Sequence, residues 1–417
     1  MHYRTKLLGV AALSALLVPT VASAAEVEVI HWWTSKGESA AVSEFAKALD
    51  ANGQDKWVDS GISLGETARA TIMQRVLGGD APEAAQFNPG RQYEELIAAG
   101  LLLDLTDIAT EGKWEEVIRP KAMAAACFID GKWWCVPVNI HSDYWAWYSK
   151  PAFEKAGVPE PKSLDEFVAV APKLQEAGII PFAIGGDGGG WQITILFQDM
   201  LTEALGVEQR NKMYETKDAA IAGSPEVVQV FKDLRALRSF VDDGYANRNW
   251  NDTTNLVMTN KAALQVMGDW ARGEFAAAGM TGVEDFGCII GLNEDKPLVS
   301  TGGDIFVFFK QDDPEVEAAQ KRLAELIISP EIQVAFNNAK GSMPVRGDVD
   351  MSTADPCMQK ALLAVEDPAK IVPSQQRFLT EDTNQQLNEL ITNFFATDAV
   401  SPEDAAAQFA DLIANSD

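Results

Sequence analysis

Adjacent indoles at Trp32 and Trp33, in the stretch IHWWTSKGE, are the first side chains whose chemistry stands out, with the carboxylate of Glu38 five residues further on. Neighbouring side chains at a strand end diverge, so one of the two rings must leave the core. Further tryptophans stand at Trp133, Trp134, Trp145, Trp147, Trp191, Trp250 and Trp270. Indole faces suit the flat C–H surface of a pyranose, or a cation, while polar neighbours fix hydroxyls or charge. The competing reading of any one Trp is a large core residue, since indoles are highly buried on average. Adjacency makes binding the better reading for at least one of Trp32 and Trp33.

Other chemistries are poorly supplied. His31 and His141 are the only imidazoles left once His2 is set aside with the N-terminal segment, so a catalytic triad or histidine metal site would have to use one of them. The run GGDGGG at 185–190 fits neither G-x-x-x-x-G-K-[ST] nor G-x-G-x-x-G and reads as a loop before Trp191. The 61 acidic residues offer so many pairs that no glycosidase carboxylate pair is singled out. A formal charge of −27 argues against nucleic acid, which needs a basic surface. No cofactor motif is present. Four cysteines, Cys127, Cys135, Cys288 and Cys357, allow three disulfide pairings. Cys127 and Cys135 bracket FIDGKWW, whose Asp130-Gly131 is a hairpin turn signal, so they could face each other across two strands and leave Cys288 with Cys357.

The elements that must position these residues begin after residue 24. Arg4 and Lys6, the apolar run from Leu7 to Val21 and Ala22-Ser23-Ala24 have the layout of an export signal, so the mature chain is expected to start near Ala25. No second apolar stretch reaches the ~20 residues of a membrane span, and no Cys near the cleavage site offers a lipid anchor. A soluble exported protein is expected, large enough for two lobes. Val27 to Ile30, Lys56 to Asp59 and Ala84 to Phe87 read as strands; helical spacing at Val42, Phe45 and Leu49 and again at Ile72, Val76 and Leu77 fills the gaps. This βαβαβ alternation predicts an α/β fold with a mainly parallel sheet, its ligand at the carboxyl ends of the strands, where WWTSKGE and QFNPG fall. Two extended runs, Val136 to Tyr148 and Val299 to Phe309, read as crossings between lobes. Asp313-Pro314, Ser329-Pro330 and Ser401-Pro402 are helix starts.

IHWWTSKGE, QFN, GKWWCVPVNIHSDYWAWYSK, VMGDWARGEF, TGGDIFVF and NAKGSMPVRGDV, in this order and spacing, resemble the solute-binding proteins of bacterial ABC sugar importers, most of all the glucose-binding branch. The resemblance implies a two-lobed periplasmic protein that closes on a neutral sugar, a monosaccharide such as glucose or a small oligosaccharide, and presents it to a membrane permease, without catalysis or cofactor, as a monomer. The lobes are expected at 25–138 plus 304–341 and at 139–303 plus 342–417. Trp32 and Trp33 would wall the sugar, Glu38 accept from a hydroxyl, and Gln86 and Asn88 reach it from the first lobe. Trp250 and Trp270 would supply apolar walls from the second, Asp304 and Lys340 would grip vicinal hydroxyls, and Gln375 stands where glucose binders commonly carry His. Each polar residue also has a plainer reading: first-turn acid for Glu38, turn residues for Gln86, Asn88 and Asp304, helix-end cation for Lys340. His141 either points into the cleft or is held structurally. Lys36, Asn88 and Gln375 depart from the family pattern, so a neutral sugar is implied more firmly than glucose. A polyamine binder and a secreted glycoside hydrolase are the rival readings.

Overall fold

A computed structural model describes residues 24–416. The expected export signal therefore lies, except for Ala24, outside the described residues.

Nine strands build two sheets: β1 (Ala25–His31), β2 (Asp55–Gly61), β3 (Ala84–Phe87), β4 (Cys135–Pro137), β5 (Trp145–Ser149), β6 (Ile180–Ala183), β7 (Ala262–Val266), β8 (Phe286–Ile290) and β9 (Ile305–Phe308). The first sheet has the order β2-β1-β3-β9-β4 and the second β8-β5-β7-β6. The molecule is thus a two-lobed α/β protein. Within these two sheets parallel pairing is confined to β2-β1-β3 and β7-β6, while β4, β5, β8 and β9 pair antiparallel, so both are more mixed than the alternation implies. The reason lies in the connections: a parallel neighbour needs a helical crossover, whereas β5 and β9 are delivered by extended hops between sheets.

Those hops run together. His141 N donates to Gly302 O at 3.1 Å and Val138 N to Asp304 O at 2.8 Å, joining the segment after β4 to the segment before β9. Met343–Pro344 pairs with Asn139–Ile140 as a third strand of the connection.

Local sequence explains the helices that reach the gap between the sheets. In α1 (Lys36–Ala51) Ser35 and Glu38 form a reciprocal capping box, worth about 1 kcal/mol, while Ala41, Val42, Phe45 and Leu49 face the core. Helix α2 (Gly65–Leu77) follows β2; α3 (Trp191–Thr216), broken at Gly206, follows the glycine run; α4 (Trp250–Met258) and α5 (Ala271–Ala277) flank β7. Helix α6 (Pro330–Lys340) starts on Pro and stops at Gly341, φ 92°, as Ser329-Pro330 predicts, although the Ser329 hydroxyl donates to Leu326 O instead of capping. Asp313 and Ser401 do cap their helices. Helix α7 (Pro356–Val365) and α8 (Glu381–Ala396) close the second lobe.

Helices α1, α5 and α6 meet backbone to backbone. A Cβ on Gly37 would lie 2.6 Å from Gly273 C, and one on Gly273 2.7 Å from Lys340 O, so side chains are excluded at this contact. Gly37 N donates across it to Glu274 Oε1 at 2.8 Å. One apolar core runs from Phe45, Phe306 and Phe336 through to Trp147 and Phe286, and a second lies behind the second sheet around Phe197, Phe231, Phe394 and Phe409. Cys127 is bonded to Cys135 across the hairpin turning at Asp130-Gly131, and Cys288 in β8 to Cys357 in α7.

Candidate functional site

Between the lobes lies a cavity of about 440 Å³, in the range of small-ligand sites. The carboxyl ends of β1 and β3 open onto it, and both crossings pass its floor. Asp304, placed by the turn before β9, is 2% exposed. Its Oδ1 accepts from Gln86 Nε2 at 2.7 Å and its Oδ2 from Asn139 Nδ2 at 2.9 Å, while His141 Nε2 stands 2.9 Å from Oδ2. The other ring nitrogen, Nδ1, is 2.5 Å from Asp269 Oδ1. Burial pulls the His141 pKa down and Lys340 pulls with it, but Asp269 and Asp304 on either side outweigh both and raise it to about 9. Burial works against the Asp304 anion, and the facing imidazolium and Lys340 more than reverse this, holding its pKa below the usual carboxylate value.

Lys340 ends α6 with its Nζ 3.4 Å from Glu38 Oε1 and 5.7 Å above the Trp270 ring. The other Glu38 oxygen accepts from Ser35 N at 3.2 Å, so the plain reading of Glu38 as a first-turn acid and its place at the cavity hold together. A carboxylate has about four lone-pair sites and an ammonium three protons. Asp304 spends three of its sites inside the protein and Lys340 one proton on Glu38. What remains, one acceptor beside two donors, matches adjacent hydroxyls.

The doubled indole divides as backbone geometry requires. Trp33 is 1% exposed and packs against Phe306 and Phe336 at 5.5 and 5.2 Å, reaching the cavity only as part of its lining; Trp32 is half-buried with the Arg69 guanidinium 5.5 Å over one face. From the second lobe, Trp250 in the first turn of α4 and Trp270 at the start of α5 both line the cavity, and Trp270 stands edge to face with His141 at 5.0 Å. Asn88 lines it with Nδ2 donating to Gly303 O at 2.9 Å, and Gln375 lines it from the loop before α8. Gln86 is fully buried and outside the lining, its amide oxygen accepting from Trp32 N and its nitrogen donating to Asp304. It holds Asp304 from behind the cavity. Among the described residues no cluster of three or more His, Cys, Asp or Glu is placed to hold a metal ion.

Residues 34–334 match the family described as bacterial extracellular solute-binding protein. The chain belongs to that family. A probable sugar-binding periplasmic protein of Rhizobium meliloti (strain 1021) is 37% identical over 355 residues, 84% of each chain. One of Brucella suis biovar 1 (strain 1330), described in the same words, is 37% identical over 375 residues, 88% of this chain and 87% of its own. A solved chitin oligosaccharide binding protein superposes with a TM-score of 0.77 at 19% identity, covering 94% of this chain and 98% of that one, which shows the shared fold.

This solute-binding protein also places in its cavity residues that sequence reasoning missed. Asp143, within the first crossing, has its carboxyl pushed up to about 7 by burial, with Asp269 and Asp304 adding to the push against His141 and Arg210. Arg69 of α2 reaches Glu381 of α8 at 3.2 Å across the mouth. Trp191 packs 6.1 Å from Trp270. Only Trp191 had a signal, the glycine run ahead of it; Asp143 and Arg69 are ordinary charges until the fold brings them in.

Proposed function

We propose that this chain is the substrate-capturing component of an ABC importer, binding a neutral sugar between its lobes and handing it to the permease. The observation that carries the reading is the floor: one spare acceptor on Asp304 beside two spare donors on Lys340, walled by Trp270 and Trp250. Charge-assisted bonds of this kind suit vicinal hydroxyls, and the rings suit pyranose C–H faces. The names of the relatives, sugar-binding periplasmic proteins, support the same substrate class.

On this reading Trp32, Trp33, Glu38, Asn88, His141, Trp250, Trp270, Asp304, Lys340 and Gln375 form the site, with Gln86 behind it. The lobes divide at 25–138 plus 304–341 and 139–303 plus 342–417, and the protein works in the periplasm as a monomer. On this reading it is a binding protein and not an enzyme, in keeping with relatives named as sugar-binding proteins. Lys340 and Arg69 in the cavity oppose a polyamine. Titrating intrinsic Trp fluorescence with glucose, galactose and spermidine tests the reading. A saturable change with a sugar and none with spermidine is expected; a response to spermidine alone, or release of reducing ends from an oligosaccharide, would overturn it.

A further inference from the structure

The cavity extends beyond its polar floor, and its mouth is built from a different set of side chains. Asn384, Gln385 and Asn388 line it from one face of α8, at the spacing that puts residues above one another on a helix. Asn384 Nδ2 donates to Leu379 O and Thr380 O at 3.3 and 2.9 Å, so its amide oxygen is the group it has to offer a ligand. Trp32 lines the same end with one face backed by Arg69, and Trp191 continues the wall inward to Trp270. One turn along α3 from Trp191, Thr194 is 2% exposed, lines the cavity, and its hydroxyl has no hydrogen-bond partner among the described residues. A buried hydroxyl left in that condition is costly unless a bound molecule or water satisfies it. The charges nearby answer each other: Arg69 pairs with Glu381, and burial with Glu381 beside it raises the Glu66 pKa against the pull of Arg69.

Amides that donate and accept, aromatic faces and paired charges are what a neutral polyhydroxylated unit needs, and they are repeated here apart from the floor. We infer that the mouth is a second carbohydrate subsite, so that the physiological ligand carries at least two linked pyranose units, the inner on Asp304 and Lys340 and the outer between Trp32, Trp191 and the amide face of α8. This rests on the sugar reading above and narrows it to oligosaccharides.

Calorimetry on the full mature protein tests it, with glucose, galactose and a panel of their α- and β-linked disaccharides. The second protein is the Gln385→Ala/Asn388→Ala variant, which keeps good helix formers on α8. At least one disaccharide is expected to bind roughly tenfold or more tightly than either monosaccharide, and the variant to lose most of that advantage while monosaccharide affinity stays within about twofold. An unchanged melting temperature establishes that the variant is folded. Monosaccharides binding as tightly as every disaccharide, or a variant that weakens both alike, overturns the second subsite and leaves the sugar reading standing. No binding by any sugar in the panel defeats the sugar reading, and this inference falls with it.

Discussion

The most consequential single residue in the cavity is His141, an imidazole held between two carboxylates and 6% exposed. With its pKa raised from 6.5 to about 9, it is expected to stay imidazolium at neutral pH. The sign follows from linkage: a raised folded pKa contributes stability that is complete below pH ~6.5 and is lost as pH rises through 9. Asp143, raised from 3.8 to about 7, acts in the same direction over the lower window, its contribution lost between those values. Melting temperature should therefore fall from pH 7 to 10, and Asp143→Asn should flatten the slope between pH 4 and 7. Imidazole resonances give a direct check, since His31 and His141 are the only histidines among the described residues. A His141 signal titrating near 6.5 would refute the flanked-imidazolium arrangement. None of this was legible in the sequence, where His141 sat in an extended run with its two carboxylate neighbours more than a hundred residues away.

At the scale of elements, much was legible. Strand β3 coincides with the expected Ala84 to Phe87, and β1 and β2 extend the expected strands by a few residues, because buried runs between glycine and polar breaks leave little freedom. The cysteine hairpin was legible for the same local reason. The α8 amide face was not, since amides at helical spacing look like any solvated surface until a cavity lies over them. The two disulfides differ in what they span. Cys288 and Cys357 are 69 residues apart and Cys127 and Cys135 only 8, so loop-closure entropy gives about 4 and about 2.5 kcal/mol respectively. Replacing Cys288 and Cys357 together by Ala should lower the urea midpoint more than the same change at Cys127 and Cys135; the reverse order would show that chain entropy does not govern these links.

For the whole molecule, the two crossings announced two lobes, but antiparallel entry of the delivered strands followed only from their path in space. The glycine contact of α1, α5 and α6 is equally silent in sequence, because nothing marks Gly37, Gly273 and Gly341 as neighbours. It lies beside the floor, while Arg69 and Glu381 meet at the opposite end. Spin labels at Thr67→Cys and Asp382→Cys, both exposed, should therefore separate on ligand removal, and labels at Ser39→Cys and Ala276→Cys should not. Equal changes in both pairs would mean the lobes part bodily. If the contact is a fulcrum, residues nearest it sweep the smallest arc. Glu38 and Lys340 come from helices that meet there, so on the proposed reading the grip on the first hydroxyls stays assembled in the gaping jaw, and closure adds only the far wall.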